Sequence, residues 1–399
     1  MFMGKNILII GNGFDLYHKL PTRYTDFLTF SNEWDTFKDK YEYYCNSINS
    51  KIEQSDYDPT AQFTVPLGSY GQLTNESIIA FADHAYCFDT SHIQYLNEHL
   101  NSNIWIQYFR TTNYQKEGWI DFEKEVENIL VYVEKYYNEI LPNYAGKIVS
   151  SYIHPDEHNI LNIITAHAST PYKSLHHSLL NPHDIFPQDL AKQKSALLDS
   201  LKQELDILNK CLGIYLAEFV CRLKCLKYSE QIRELSDVYL LNFNYTYTYK
   251  TVYGGIKLAE IHHIHGCLGE ENLVLGISDT FTDSLDYVYF QKYFQRIQKR
   301  TGNSYRHWLN QTTSSLKDTS SIVYIMGHSL DMTDKGMLQY FFFSPYIEQI
   351  IIFYHNQSSY ENEIINLVRM FGQDYIIEQT GIERIKFKKL EAAVDGSLR

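Results

Sequence analysis

The chain has 399 residues and a formal charge of −13, with 44% hydrophobic and 21% charged residues. This length exceeds what one hydrophobic core usually fills, and the composition excludes wholesale disorder. No strong basic block occurs, which argues against nonspecific DNA or RNA binding and against an anionic membrane surface, but not against a local basic groove.

Six cysteines occur without the spacing of a zinc site or a disulfide framework: Cys45, Cys87, Cys211, Cys221, Cys225 and Cys267. Residues 1–6 run straight into an apolar stretch and lack the layout of a signal peptide. No apolar run approaches the roughly 20 residues that span a bilayer. We therefore expect a cytoplasmic protein with no metal site and no membrane partner.

In chain order, the first predicted element is a buried parallel strand at residues 5–11, with the sequence KNILIIG. From about Ser31 to Ser236 strand patterns nearly vanish, and helices are predicted at 119–140 and 188–226. The wide apolar stripe of the second helix could pack either within a helical subdomain or against a second copy of the chain in a dimer. We favour the subdomain, since wide seams are commoner within a chain.

Strand patterns return after residue 236, and helical patterns lie between several of them, notably at 287–300 and 362–371. The predicted strands are 237–243, 260–265, 272–277, 321–327, 348–354 and 383–389. This alternation predicts an α/β fold: a Rossmann-like, doubly wound, mostly parallel sheet with a large all-α insertion. Because one strand cannot bury both its faces alone, the first strand must join the later ones. The predicted nucleotide domain is therefore discontinuous, at 1–30 and 236–399, and the helical insertion subdomain covers 31–235.

The first motif, Gly11-Asn12-Gly13, follows the first strand and precedes Phe14 and Asp15. Glycines at this position let the backbone approach a phosphate, although a simple tight turn has the same sequence. A carboxylate beside a pyrophosphate repels it. Asp15 is therefore expected to cap the helix or to contact ribose hydroxyls.

A second motif, at residues 242–246, leaves a strand with the sequence NFNYT. An Asn at the carboxyl end of a strand can hold a water or a substrate hydroxyl, which is the role expected of Asn244. The alternative is a turn whose Asn caps the next helix.

Three histidines form the third motif, His262, His263 and His265, followed by Gly266. On a strand, His263 and His265 point to one face and His262 to the other, so the three do not readily ligate one metal. His265 fits a general base with a pKa near neutrality, and the alternative is a structural histidine.

The fourth motif is Gly327-His328-Ser329-Leu330-Asp331, with Asp334 behind it. It lacks the GxSxG pattern of a nucleophilic serine, and Ser329 with the adjoining N–H groups suits a phosphate or adenosine moiety.

A fifth motif lies in the insertion, where Trp119 and Glu123 share one helical face and Asp121 does not. The alternative interpretation is an amphipathic helix that begins with acidic residues. Together, four strands that end in Gly or Asn with polar residues predict a ligand crevice.

These segments resemble the abortive-infection AbiH family of bacterial antiphage proteins. The resemblance rests, in order and spacing, on IIGNGFDLYHKLPTRYTDFL, WIDFE, LNFNYT, HIHG with VLGI, and YIMGHSLDMTD followed by IIIFYH. It implies a protein that stops phage propagation at the expense of the infected cell.

More distantly, the plan resembles sirtuin-like NAD-consuming domains. That resemblance matches their glycine-rich first loop to residues 11–15, their Asn to Asn244, their HG pair to His265-Gly266, and their late small-residue turn to 327–330. The sequence departs from their pattern at Phe14 and Asp15, which replace small residues, and at Thr246, where an acid is expected.

The leading hypothesis is hydrolysis of the nicotinamide–ribose bond of NAD⁺, which is substrate and not cofactor. This reaction passes through an oxocarbenium-like state that a carboxylate and a positioned water stabilise. The expected catalytic set is Asn244 and His265, with Asp15 or Glu123 for charge stabilisation. The expected nucleotide-binding set is Gly11, Asn12, Gly13, Phe14, Thr246, Gly266, Gly327, His328, Ser329 and Asp331.

Two rivals stand beside this hypothesis. One is a non-enzymatic nucleotide-binding sensor or interaction protein of phage defence. The other is a metal-dependent nuclease built from His263, His265 and Asp331 or Asp334, against which the acidic charge and the missing ligand spacing count. A toxic hydrolase needs restraint, so we expect an occluded resting site, a phage-encoded trigger and cover from the insertion or a homo-oligomer.

Overall fold

The computed structural model describes residues 5–48, 61–84, 88–112, 120–140, 187–225, 227–254, 258–279, 281, 284–309 and 321–395. Its strands are β1 (Asn6–Ile10), β2 (Lys227–Tyr228), β3 (Val238–Asn242), β4 (Leu258–His263), β5 (Ser321–Met326), β6 (Ile347–Tyr354), β7 (Ile385–Lys389) and β8 (Val394–Asp395). Six of them form one sheet in the order β4-β3-β1-β5-β6-β7, and all its pairs are parallel. β2 and β8 form a separate antiparallel pair.

This strand order is that of the Rossmann fold. β1 lies at its centre, between β3 and β5, because it is apolar on both faces. Ile7 and Ile9 pack on one face of the sheet, and Leu8 and Ile10 pack on the other. The first strand therefore does join the strands that follow the insertion.

The α-helices in the described ranges are α1 (Asn12–Tyr17), α2 (Tyr24–Asn32), α3 (Trp34–Ile48), α4 (Asn75–Ala82), α5 (Thr90–His99), α6 (Ile104–Thr111), α7 (Phe122–Lys135), α8 (Pro187–Ile214), α9 (Glu230–Arg233), α10 (Thr248–Tyr253), α11 (Lys292–Gln298), α12 (Lys335–Phe342), α13 (Gln357–Phe371) and α14 (Gln373–Gly381). Residues of α12 and α13 cover the face of Ile7, and residues of α1 and α10 cover the face of Leu8. The protein is thus a doubly wound α/β fold with a large helical region between β1 and β3. No helix in these ranges is both long and apolar enough to cross a membrane.

The helical insertion has its own core, in which the apolar stripe of α8 is buried. Leu201, Leu208 and Tyr215 of this stripe are fully buried there. The α-helix ends at Ile214 and a π-helical turn continues to Val220, so the prediction of a helix up to residue 226 is too long, and Leu226 lies outside the described residues. The stripe packs within this chain.

One predicted strand, at 272–277, is wrong. Its apolar residues are buried, but its backbone bonds to loops and side chains: Val274 N–H donates to the His265 carbonyl, and Leu275 N–H donates to Oε1 of Gln295. Leu273, Leu275 and Ile277 pack in the helical core, across the predicted domain boundary at 235/236. That boundary and the one at 30/31 stay predictions.

Candidate functional site

The candidate site lies at the carboxyl edge of the sheet, where the strand order reverses between β1 and β5. Open α/β sheets bind ligands at this point. The loops after β1 and β5 contact each other directly here: the N–H of Gly13 donates to the Gly327 carbonyl at 2.8 Å. Gly327 has a φ of +67°, and a Cβ on it would lie 2.1 Å from the nitrogen of Phe14, so only glycine fits.

Three backbone N–H groups of the glycine turn, those of Gly11, Gly13 and Phe14, are bonded within the protein. Gly11 N–H donates to the Met326 carbonyl at 3.3 Å, and Phe14 N–H donates to the Gly11 carbonyl at 2.8 Å. Asn12 is exposed and its Oδ1 accepts from the hydroxyl of Thr22, while the side chain of Phe14 is fully buried. The glycines thus serve a close contact between two loops, and phosphate binding by residues 11–14 stays a prediction.

Asp15 is a buried carboxylate that accepts a hydrogen bond from a neighbouring hydroxyl. The residue is 1% exposed, and its Oδ2 accepts a hydrogen bond from the Thr246 hydroxyl at 2.6 Å. Oδ1 has no hydrogen-bond partner among the described residues. Burial raises the pKa of Asp15 to about 6, against the lowering effect of Thr246. Two of the departures from the sirtuin-like pattern, Asp15 and Thr246, therefore contact each other.

Asn244 links the loop after β3 to the glycine turn. Its Nδ2 donates to the Gly11 carbonyl at 3.0 Å, and the residue is 7% exposed. Asn242 holds the loop in shape, because its Oδ1 accepts from Asn244 N–H at 2.8 Å and its Nδ2 donates to the Thr246 carbonyl at 3.0 Å. Asn244 does not cap α10, whose N-cap is Tyr247.

Five side chains form a second polar group, here called the charge cluster: Glu123, His265, Lys292, His328 and Asp334. Lys292 is at its centre, with Nζ 2.7 Å from Oε2 of Glu123 and 3.9 Å from Oδ1 of Asp334. The two carboxylate oxygens of Asp334 face the two imidazoles, Oδ2 at 3.4 Å from Nε2 of His328 and Oδ1 at 3.9 Å from Nε2 of His265.

The loop after β5 fixes the orientation of His328. Its Nδ1 accepts a hydrogen bond from Leu330 N–H at 2.9 Å, so the neutral ring carries its proton on Nε2, which faces Asp334. Leu330 itself is fully buried at a φ of +53°, a conformation that costs a branched residue roughly 1 kcal/mol or more. Phe243 packs against both imidazole rings, with centroid distances of 4.2 Å to His328 and 5.5 Å to His265.

The electrostatics of the cluster make Lys292 and Asp334 a charged pair. Burial alone would raise the pKa of Asp334, but Lys292 and then His328 lower it, and the net shift is well below the usual value. Burial lowers the pKa of Lys292, whereas Glu123 and Asp334 raise it by more. Both groups are therefore ionised at neutral pH.

His265 is neutral at physiological pH. Burial, with a further contribution from Lys292, lowers its pKa to about 3, so the expectation of a pKa near neutrality is wrong. Its Nε2 has no hydrogen-bond partner in the described part of the chain. A neutral imidazole beside an ionised carboxylate can hold a water or a hydroxyl.

Glu123 is the contribution of the helical insertion to the cluster. Asp121 is the N-cap of α7 and accepts from the N–H of Glu123 at 2.9 Å, which places Glu123 in the first turn. Burial raises the pKa of Glu123 to about 7, against the lowering effect of Lys292, although the side chain keeps 19% exposure. Trp119, predicted to share its face, lies outside the described residues.

Asn244 and His265 belong to one continuous set of contacts. Asn244 bonds to Gly11, whose Cα lies against the backbone of His328, and His328 and His265 face the same carboxylate of Asp334. The segments at 11–15, 242–246, 262–266 and 327–334 therefore converge, as the ligand crevice requires, and most of the polar side chains that meet there are buried.

Other predicted residues lie apart from this set. Ser329 and Asp331 are exposed, and Asp331 caps the 3₁₀ turn Met332–Asp334 by accepting from Thr333 N–H at 2.9 Å. Gly266 has a φ of +80° and turns the chain against Asn272.

The three neighbouring histidines have separate partners. His262 Nδ1 lies 2.9 Å from the Ser304 hydroxyl, and His263 Nδ1 lies 3.3 Å from the Asn244 carbonyl. Among the described residues, no group of three His, Cys, Asp or Glu side chains is arranged to hold a metal ion. The geometry in these ranges does not favour the nuclease rival.

Sequence reasoning missed Lys292 and Phe243. Lys292 lies in the segment QKYFQRIQKR, where the pattern predicts that a lysine lies on a solvated helical face. In the structure its side chain is only 3% exposed. Nothing local to the sequence distinguishes it from its basic neighbours, because its partners Glu123 and Asp334 come from two distant segments.

The comparison with known families matches this chain, over residues 7–355, to the family model described as "Bacteriophage abortive infection AbiH". No curated protein and no solved structure matches the chain significantly. The matched segment contains all of β1 except Asn6, together with the insertion and the whole charge cluster.

Proposed function

Because this chain belongs to the AbiH family of bacteriophage abortive infection proteins, we propose that it acts in phage defence by hydrolysing the nicotinamide–ribose bond of NAD⁺. The observation that carries the proposal is the ionised carboxylate of Asp334, buried beside neutral His265 at the carboxyl edge of a Rossmann-like sheet. The family indicates the role in abortive infection, and the reaction is our inference from this arrangement.

The chemistry needs a negative charge next to the sugar carbon that loses nicotinamide. As the C–N bond breaks, positive charge develops on the ribose, and a buried carboxylate stabilises it far better than an exposed one. Asp334 keeps this charge at neutral pH, because Lys292 and the imidazoles lower its pKa. Neutral His265, whose Nε2 has no described partner, would accept a hydrogen bond from the attacking water and position it.

Asn244, Asp15 and Thr246 would bind the ribose hydroxyls from the other side of the glycine turn. The Asn244 amide is held by its bond to Gly11, and the Asp15 carboxylate leaves Oδ1 without a partner in the described ranges. A hydroxyl of the sugar could donate to Oδ1. The sirtuin-like pattern has an acidic residue two positions after the Asn. Asp15, which accepts a hydrogen bond from the Thr246 hydroxyl, would take the place of that acid here.

The proposed site is closed in this conformation. Glu123 reaches from the insertion to Lys292, and Lys292 and Asp334 are both nearly buried. A toxic hydrolase requires such restraint, and a phage-encoded trigger would open the site by withdrawing α7 and its Glu123.

Nicotinamide release from NAD⁺ by the purified full chain tests this function, with and without extract from phage-infected cells. We expect turnover in at least one condition, and a loss of about 100-fold or more in Asn244→Ala and His265→Ala. His355→Ala, at an exposed histidine, is the matched control and should keep full turnover. If no trigger produces turnover that the two variants abolish, the assignment is wrong.

A second function is favoured by the burial of the charge cluster, where Lys292 and Asp334 are nearly inaccessible to solvent. A nucleotide-binding sensor without turnover would need no accessible water at the cluster. It predicts full antiphage protection by His265→Ala, measured as plaque counts in cells that express the variant, whereas hydrolysis predicts loss of protection.

A further inference from the structure

An open groove of about 490 Å³ lies next to the charge cluster. α11, the turn that follows it, and the start of α12 contribute its walls. Thr333 lines the groove, and its hydroxyl lies 3.5 Å from Nζ of Lys292, so the groove reaches within one side chain of the cluster. Small-molecule sites typically occupy about 300–1,000 Å³.

Arginines dominate the charge of this groove. Arg296 is paired with Asp279 at 3.0 Å, while Arg300 and Arg306 are exposed and form no ion pair within the part of the chain that the structure describes. The groove therefore presents three guanidinium groups against one carboxylate, in a chain with a net charge of −13. Guanidinium groups match the geometry of phosphate oxygens and bind them with paired hydrogen bonds.

The start of α12 leaves one side of the groove open. Gly336 lines the groove, and apart from the backbone of its own helix no atom lies within 4 Å of the position that a Cβ on it would occupy.

A flat apolar surface accompanies the arginines. Tyr293 is 38% exposed and Ile297 is 72% exposed, and both line the groove. An aromatic ring in such a position can stack on a base.

The charge of the whole chain argues for a small anion over a polynucleotide. A long nucleic acid would face the repulsion of a net charge of −13 beyond the groove, whereas a single nucleotide meets mainly the local arginines.

We propose that this groove binds the diphosphate of a nucleotide, with Arg300 and Arg306 on the phosphates and Tyr293 against the base. The sugar end of the nucleotide would then lie toward Thr333 and the charge cluster. The identity of the nucleotide as one that contains ADP-ribose rests on the proposed function, but the diphosphate site itself does not. Phosphates held here would not need the glycine turn, whose amides are bonded.

Calorimetric titration of the full chain with ADP, ADP-ribose and adenosine tests the groove. We expect ADP and ADP-ribose to bind, and adenosine to bind at least about tenfold more weakly. Arg300→Gln with Arg306→Gln should weaken ADP binding by about tenfold or more. The double variant Arg233→Gln with Arg369→Gln removes the same charge at exposed residues that do not line the groove, and should bind ADP like the unmodified chain.

A second variant checks the stacking. Tyr293→Ala should weaken ADP without changing the binding of inorganic pyrophosphate, and circular dichroism of each variant verifies its folding. The proposal is overturned if the unmodified chain does not bind ADP, if both double variants bind it equally, or if a single-stranded RNA oligonucleotide binds more tightly than ADP. If the arginine variants lose ADP but no NAD⁺ is hydrolysed, the groove stands and the proposed function fails. If those variants hydrolyse NAD⁺ with an unchanged KM, the proposed function stands and the groove does not bind the diphosphate of the substrate.

Discussion

Asp15 and Asp334 lie at the same edge of the sheet and are buried to a similar degree, 1% and 6% exposed. Their pKa values nevertheless shift in opposite directions: burial raises that of Asp15 to about 6, whereas Lys292 and the imidazoles outweigh burial and lower that of Asp334. Asp15 has the Thr246 hydroxyl as its partner, and Asp334 has an ammonium group and two imidazoles. Burial sets the cost of a charge at both positions, and the partners decide whether the carboxylate keeps it.

This difference assigns separate tasks to the two carboxylates. In the proposed reaction a permanent negative charge belongs at Asp334, next to the breaking bond. A carboxyl that titrates near pH 6 suits hydrogen bonding to a sugar hydroxyl, because it can accept or donate.

Removing the cation would make the Asp334 site resemble the Asp15 site. Lys292→Met leaves Asp334 and Glu123 buried without their common partner, so the free energy of unfolding should fall by about 3–5 kcal/mol. Urea unfolding measures this loss. Lys250→Met, at an exposed lysine, should change stability by less than about 0.5 kcal/mol. If Lys292→Met loses no more stability than the control Lys250→Met, the ion pair between Lys292 and Glu123 is not formed.

Neutralising Asp15 should stabilise the protein, which is unusual for a buried polar residue. The folded state holds the Asp15 proton up to about pH 6, whereas the unfolded chain releases it near 3.8, so stability falls as pH rises through this interval. Asp15→Asn removes that penalty, and should raise the free energy of unfolding by up to about 3 kcal/mol at pH 8 and by little at pH 4.

Thermal unfolding at the two pH values, with Asp374→Asn as an exposed control, checks this prediction. Equal effects of Asp15→Asn at pH 4 and pH 8 would show that the pKa of Asp15 is not raised.

His265 should add a pH dependence of the other sign. Its folded pKa of about 3 lies below its usual value of 6.5, so the unfolded state binds the proton more readily and stability is lost as pH falls below 6.5. Between pH 7 and pH 5 this loss is about 2 kcal/mol, and His265→Gln should remove it. Parallel curves of stability against pH for the variant and the unmodified chain would contradict the low pKa.

Asp331 gives the smallest effect and serves as the exposed counterpart of the two buried acids. It caps the turn Met332–Asp334, and Asp331→Ala should cost about 1 kcal/mol in urea unfolding. The ADP affinity of the Asp331→Ala variant should not change, since Asp331 does not line the groove proposed to bind the diphosphate. Weaker ADP binding by this variant would support the nucleotide-binding role predicted from the sequence.

The sequence predicts the sheet well because its signals are local. β1, β3 and β5 are largely apolar runs that end in Asn or are followed by Gly, as expected of buried parallel strands. Residues 272–277 show the limit of that signal: the run is equally apolar, but Gln295 and the backbone of His265 satisfy its N–H groups instead of a neighbouring strand. The apolar composition of a segment indicates that it is buried, whereas the pairing of that segment with a strand depends on residues elsewhere in the chain.

The candidate site could be predicted only in part, for the same reason. Asn244 and His265 stand at strand ends and are visible as motifs, whereas Lys292 becomes significant only when folding brings Glu123 and Asp334 to it. The pKa of His265 was likewise out of reach, since burial and Lys292 determine it.

The most direct test of the proposed reaction is intracellular NAD⁺ during phage infection, compared between cells with the unmodified chain and cells with Asp334→Asn. We predict that NAD⁺ falls sharply after infection only with the unmodified chain, and that Asp334→Asn preserves NAD⁺ and loses protection while Asp374→Asn behaves normally. Protection by the unmodified chain with NAD⁺ unchanged would contradict it.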